Sequence, residues 1–198
     1  MRGAAAGLSI VVTSLMTLLV VGLVILGGCG KSALKGIPEN ISEENLSYSG
    51  TTEVVTMRLT SNAFKEGEKI PDRYTCKGLD VSPQLAWEDV PGETKSFALI
   101  MDDPDAPVGL WTHWMVKNIA PDKRNIDEQT VPGIEVINSA GRKSYHGPCP
   151  PSGTHRYYFR LYALDVPRLE ATTKADFYKE VEQHKIAVGQ LMGRYSKS

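Results

Sequence analysis

Two loops of the 198-residue chain concentrate the side chains that could do chemistry. The first reads Asp102-Asp103-Pro104-Asp105-Ala106-Pro107 and is followed by Trp111-Thr112-His113-Trp114. Proline fixes its own φ and drives the preceding residue towards extended backbone, so this loop is stiff and can hold a carboxylate at a set angle. The plainest reading of the loop is an Asx-Pro turn, in which an aspartate caps its own backbone. The second loop reads Tyr145-His146-Gly147-Pro148-Cys149-Pro150-Pro151-Ser152-Gly153-Thr154-His155-Arg156-Tyr157. Its three prolines remove backbone donors, while Gly147 and Gly153 permit conformations closed to other residues. With His155 opening a strand, alternation puts His155 and Tyr157 on one face and Arg156 on the other. Imidazole, carboxylate and phenol together can hydrogen-bond an anion, hold a divalent metal or move a proton.

The catalytic readings are the weaker ones. The chain has no G-x-S-x-G elbow, no H-E-x-x-H, no C-x-x-C and no phosphate-binding P-loop. A metal site would draw on His113, His155, Asp103 and Asp105, and a hydrolase would need Ser144 or Ser152 as nucleophile with His155 as base. Neither has supporting context, so the expectation is a non-enzymatic protein without metal or cofactor. The charge balance of 22 Lys+Arg against 23 Asp+Glu lacks the clustered basic excess of a nucleic-acid binder.

The elements that must position these loops are mainly strands. Val54–Thr60 and Trp111–Ile119 are rich in β-branched and aromatic residues. Lys95–Met101 is a short apolar run suited to a buried strand, and Arg156–Leu164 carries four aromatics in nine residues. Thr173 can cap a helix over Lys174–Lys185, with Phe177 and Val181 on one face. Ile186–Tyr195 reads equally as a strand or as a second helix. The connections are too poor in helical periodicity for βαβ crossovers. The expected fold is therefore mostly β: a Greek-key antiparallel β-sandwich with one or two short C-terminal helices.

Asp103-Pro104-Asp105-Ala106-Pro107, His113 six residues later, and Gly147-Pro148 with His155-Arg156-Tyr157 resemble the signatures of the phosphatidylethanolamine-binding protein family, in particular its bacterial and archaeal Raf-kinase-inhibitor-like branch. Tyr74–Gly78, Val81–Trp87 and Gly193-Arg194-Tyr195 add to the resemblance, which covers about residues 54–196. It implies a small, surface-open pocket for phosphate or a phosphorylated headgroup, lined by Asp103, His113, Gly147, Pro148, His155 and Tyr157. Asp105, Pro107 and Arg156 match positions of structural support, with Asp105 and Arg156 expected as an internal ion pair. Asp103 would orient His113, accept from an amine or meet a protonated oxygen. Anion binding should then strengthen as pH falls through the histidine range. The Gly-Pro-Cys-Pro-Pro sequence departs from the Gly-Xaa-Gly-Pro-Pro style of eukaryotic relatives, and the Pro107–His113 stretch is short. Kinase-binding surfaces and phospholipid transport are therefore not carried over. An inhibitor of a protease or signalling protein, acting through the pocket-rim loops, remains an alternative.

The N-terminus bears on location. Between Arg2 and Lys31 the only ionisable side chain is the thiol of Cys29, and Leu8–Leu26 is an uncharged, mainly apolar stretch. Basic residue, apolar stretch and small residues form a secretory signal, and Leu26-Gly27-Gly28-Cys29 resembles a bacterial lipobox. Residues 1–28 are thus expected as a lipoprotein signal peptide and Cys29 as the acylated residue, carrying palmitate-type chains. An uncleaved transmembrane anchor is the competing reading, since 19 apolar residues just suffice to span a bilayer. Residues 29–50, rich in Ser, Glu, Asn and Gly, read as a flexible tether to a domain over 51–198. Either way the domain faces the periplasm or cell exterior, where Cys76 and Cys149 could form a disulfide. The expected partners are a small anionic or phosphorylated ligand, the membrane through the lipid anchor and a protein target, but no nucleic acid.

Overall fold

The computed structural model of the chain describes residues 55–196; the segments expected as signal peptide and tether, and the expected acylation site Cys29, lie outside the described residues. Eight strands and one α-helix occur within them: β1 (Val55–Thr60), β2 (Leu85–Glu88), β3 (Ser96–Asp103), β4 (Trp111–Ile119), β5 (Asn125–Ile126), β6 (Ile134–Glu135), β7 (Thr154–Leu164), α1 (Lys174–His184) and β8 (Lys185–Ser196). The mostly-β expectation holds. The order along the hydrogen-bonded ladder is β5-β2-β1-β8-β7-β3-β4-β6. It is a curled, mixed sheet, for which "sandwich" is an approximate description. "Antiparallel" needs correcting at one junction, because β1 and β8 pair in parallel, with Thr56 opposite Val188.

β3 explains why its sequence lacks polar alternation. All eight of its residues are buried. Phe97, Leu99 and Met101 enter the main core with Trp87, Trp114, Tyr157 and Phe159. Ala98 and Ile100 face the other way, against Met115 and against Phe177 and Val181 of α1. A strand covered on both faces reads as a continuous apolar run. Each large apolar side chain buried this way stabilises the fold by roughly 1.5–3 kcal/mol.

α1 starts where its cap predicts: the Thr173 hydroxyl oxygen accepts from the Asp176 N–H at 3.2 Å and donates to the Asp176 carboxylate at 2.7 Å. The ambiguous terminal segment is a strand. Buried Ala187, Gly189, Leu191, Gly193 and Tyr195 alternate along β8 with more exposed residues. β8 lies antiparallel to β7 along almost its whole length, pairing His155 with Tyr195 and Arg156 with Arg194.

Candidate functional site

β3 is flanked by β4 and β7, both antiparallel to it. The end of β3 therefore meets the starts of β4 and β7 at one edge of the sheet. That edge brings together Asp103, His113, His155 and Tyr157. A register shift between Met101 and Asp102 in the β3–β4 pairing marks a bulge beside the site, a device that re-aims side chains. Asp102 and Asp103 consequently have separate roles. Asp102 accepts two hydrogen bonds from the Arg160 Nη1, at 2.7 and 2.6 Å, and burial raises its carboxyl against the pull of that guanidinium.

Asp103 Oδ2 accepts from the His155 Nδ1 at 2.7 Å, and its Oδ1 accepts from the Asp105 N–H at 2.8 Å. The second bond is the Asx turn that the Asp-Pro sequence suggested. The first corrects the expectation that Asp103 orients His113: it orients His155. Proline-stiffened geometry leaves the buried carboxylate, 3% exposed, with both oxygens engaged.

His113 is held from the other loop. Its Nδ1 lies 2.6 Å from the His146 carbonyl oxygen, and its ring stacks on that of His146 at 5.6 Å between centroids. Burial, above all, lowers the His113 pKa to about 4; the hydrogen bond to the His146 carbonyl opposes the shift. The imidazole is therefore neutral at pH 7. A carbonyl oxygen only accepts, so Nδ1 carries the proton and Nε2 presents a bare lone pair. That Nε2 is buried and has no hydrogen-bond partner. The expected response through the ordinary histidine range does not come from His113, whose titration lies below it.

The ring of Tyr157 meets His113 edge-on at 5.2 Å and is stacked at 6.4 Å on His155. Its hydroxyl is likewise buried and without a hydrogen-bond partner. Burial first, then the nearby Asp103 carboxylate, pushes its pKa upward, so it stays a phenol and keeps a proton to donate. Orphaned buried polar atoms are rare because each costs roughly 1–3 kcal/mol. Such side-chain atoms among the described residues are Trp87 Nε1, His113 Nε2, His146 Nδ1 and Tyr157 Oη, and the rings that carry the acceptor His113 Nε2 and the donor Tyr157 Oη are in edge-on contact.

The second loop is clamped by contacts that sequence reasoning missed. Gly147 N–H donates to Asp80 Oδ1 at 2.7 Å, Tyr145 Oη donates to the Tyr74 carbonyl at 2.9 Å, and Cys76 N–H donates to the Pro148 carbonyl at 3.2 Å. The Cys76–Cys149 disulfide is formed and joins the same two segments. Gly147 is needed for room rather than for an unusual φ: a Cβ there would run into the Tyr74 carbonyl and Asp80. Gly153, at φ +69°, does use the left-handed freedom expected of both. Asp80, at φ +55°, had no motif to flag it. His146 could have been noticed, since it directly precedes Gly147.

Asp105 and Arg156 pair as expected, the Arg156 Nε and Nη2 donating to the two carboxylate oxygens at 2.9 and 2.6 Å. The Arg156 side chain is 48% exposed, so this pair is at the surface rather than internal. The Arg156 hydrogen bond holds the Asp105 carboxyl down to about 2. Pro107 is exposed on the outer turn of the loop, where Gly109 N–H donates to the Ala106 carbonyl. Among the described residues no three or more His, Cys, Asp or Glu side chains converge to hold a metal.

The comparisons agree with this architecture. The family model described as "Phosphatidylethanolamine-binding protein" matches residues 60–196. A UPF0098 protein of Methanothermobacter thermautotrophicus is 47% identical over 151 residues, covering 71% of this chain and 99% of that one. One from Chlamydia muridarum is 45% identical over 149 residues, covering 71% and 99%. Among solved structures, a phosphatidylethanolamine-binding protein homologue from Chlamydia trachomatis superposes with a TM-score of 0.69 at 43% identity, covering 72% of this chain and 99% of that one. YbcL of E. coli, described as a new member of the mammalian family, gives 0.68 at 30% identity with the same coverage. With one family model matching residues 60–196 and relatives matched over nearly their full length, the chain belongs to the phosphatidylethanolamine-binding protein family.

Proposed function

We propose that the protein is a non-enzymatic binding module, tethered to a membrane through acylated Cys29, whose pocket takes a singly protonated phosphate group. The observation that carries the reading is the pair of buried, unpartnered polar atoms, His113 Nε2 and Tyr157 Oη. Nε2 asks for a donor and the phenol for an acceptor. A phosphomonoester monoanion offers both on one phosphorus, as P–OH and P–O⁻. The adjacent Asp103 carboxylate also disfavours a dianion. His155, held by Asp103, stacks on the Tyr157 ring. The test is calorimetric titration of the full chain with O-phosphoethanolamine. Tyr157→Phe and His113→Gln should each weaken binding about tenfold or more, as expected for one charge-assisted hydrogen bond; unchanged affinity in both would refute the assignment.

The tether rests on the apolar Leu8–Leu26 stretch running into Gly27-Gly28-Cys29. Radiolabelled fatty acid should enter the wild-type chain and not Cys29→Ser; equal labelling, or none in either, contradicts it. A protein-directed inhibitor is the second reading, favoured by Val108 at 78% and Leu110 at 52% exposure on the loop beside the pocket. Inhibition of a protease that survives Tyr157→Phe but fails in Val108→Ser/Leu110→Ser would favour it.

A further inference from the structure

Beside the buried cluster, on the opposite face of β7 and β8, lies an open polar cavity of about 560 Å³ lined by Asp105, Ser152, Thr154, Arg156 and Arg194, with Gly153 and His155 at its edge. We infer that this cavity is a second, separate binding site, which takes the oxyanion of a small carboxylate or phosphate compound. Arg156 and Arg194 are directly paired across the strands, and both are exposed. Like charges directly opposite each other are unfavourable unless something between them is negative.

Asp105 supplies one negative charge, but both of its oxygens are spent on Arg156, through its backbone N–H, Nε and Nη2. The Arg194 guanidinium has no hydrogen-bond or ion-pair partner among the described residues; only its backbone is engaged, with Glu68 and Ile70. The hydroxyls of Ser152 and Thr154 have no partner among them either. Lys69, whose backbone bridges to Arg194, is already paired with Asp72 at 2.9 Å. Two guanidiniums, one committed carboxylate and two free hydroxyls leave a net positive cavity rich in donors. Guanidinium forks and hydroxyls are the groups that match the planar or tetrahedral oxygens of carboxylate and phosphate. Gly153 at φ +69°, with nothing within 4 Å of where its Cβ would be, keeps the mouth of the cavity open. His155 and Tyr157 point inward while Thr154 and Arg156 point outward. The two sites therefore share a strand and meet at His155, while the Arg156, Arg194, Ser152 and Thr154 side chains belong to the outer cavity alone.

The test is an NMR titration of the full chain at constant ionic strength, reading the Thr154 amide and the Arg156 Nε–Hε signals. The probes are inorganic phosphate, acetate and, as the screening control, chloride. Saturable shifts with phosphate, acetate or both support the site, and their relative size says which oxyanion it prefers. Arg194→Gln should raise the apparent Kd about tenfold or more, and Thr154→Val severalfold; both positions are exposed, so folding should be kept. Tyr157→Phe should leave it within twofold. Shifts that stay linear, that chloride reproduces or that Arg194→Gln leaves unchanged overturn the inference. So do shifts abolished by Tyr157→Phe, since they would report the buried cluster instead.

Discussion

His113 should make the fold lose stability in mild acid. Its pKa is lowered from the ordinary histidine value of 6.5 to about 4, chiefly by burial, and the residue is 4% exposed. The unfolded chain therefore binds this proton more readily than the folded one, and stability must rise with pH across that window. The contribution is fully present above about 6.5 and is lost as pH falls towards 4. The fall from 6.5 to about 4 corresponds to about 3 kcal/mol, and roughly 2 kcal/mol should already be gone at pH 5. The groups facing His113 act in the expected directions: Asp103 and Asp80 favour the charged ring, and His146 opposes it. Urea unfolding of wild type and His113→Gln at pH 7.5 and pH 5 measures the difference directly. The amide of Gln can still donate to the His146 carbonyl without titrating. The wild type should lose about 2 kcal/mol more than the variant between the two pH values, whatever the other histidines contribute to both. Equal losses would refute the burial argument, and with it the conclusion that Nε2 is a bare acceptor at neutral pH.

Two further outcomes follow from the same geometry. Because the Tyr157 hydroxyl is buried without a partner, Tyr157→Phe should leave thermal stability unchanged or raise it by up to about 1 kcal/mol even as it weakens ligand binding; a loss of more than about 1 kcal/mol in a thermal melt would mean the hydroxyl is bonded in the fold. Removing the disulfide with Cys76→Ser/Cys149→Ser opens a link across 73 residues, worth about 4 kcal/mol on loop-closure entropy. Calorimetry should show a Tm lower by roughly 8–16 °C, and an unchanged Tm would mean the bridge does not form.

Much of this was legible in the sequence because the residues concerned obey local rules. The Trp111–Ile119 strand coincides with β4, and Thr173 caps α1. Strand alternation placed His155 and Tyr157 together. β2, β5 and β6 went unseen because two to four residues are too short to show a period. The parallel β1–β8 pairing was hidden because register between distant strands leaves no local trace. The partner of Asp103 could not be read for a similar reason. His113 and His155 are both histidines of the right motifs, and only the meeting of β3 with β7 decides that His155 receives the carboxylate. Asp80 and the His146 carbonyl act through long-range contacts, or through the backbone, that no motif records.

The central claim is that the pocket takes a phosphate group whose own proton bonds the His113 lone pair. Its most direct test compares O-phosphoethanolamine with ethanolamine O-sulfate, which has no titrating proton between pH 8 and 5.5, by calorimetry on the full chain. His113 stays neutral over that range, while a phosphomonoester takes up its proton near pH 6. The account predicts that affinity for the phosphate ester rises by roughly tenfold or more from pH 8 to 5.5, with no comparable gain for the sulfate ester. Phosphate affinity that falls towards acid pH, or a sulfate ester that gains equally, would contradict it.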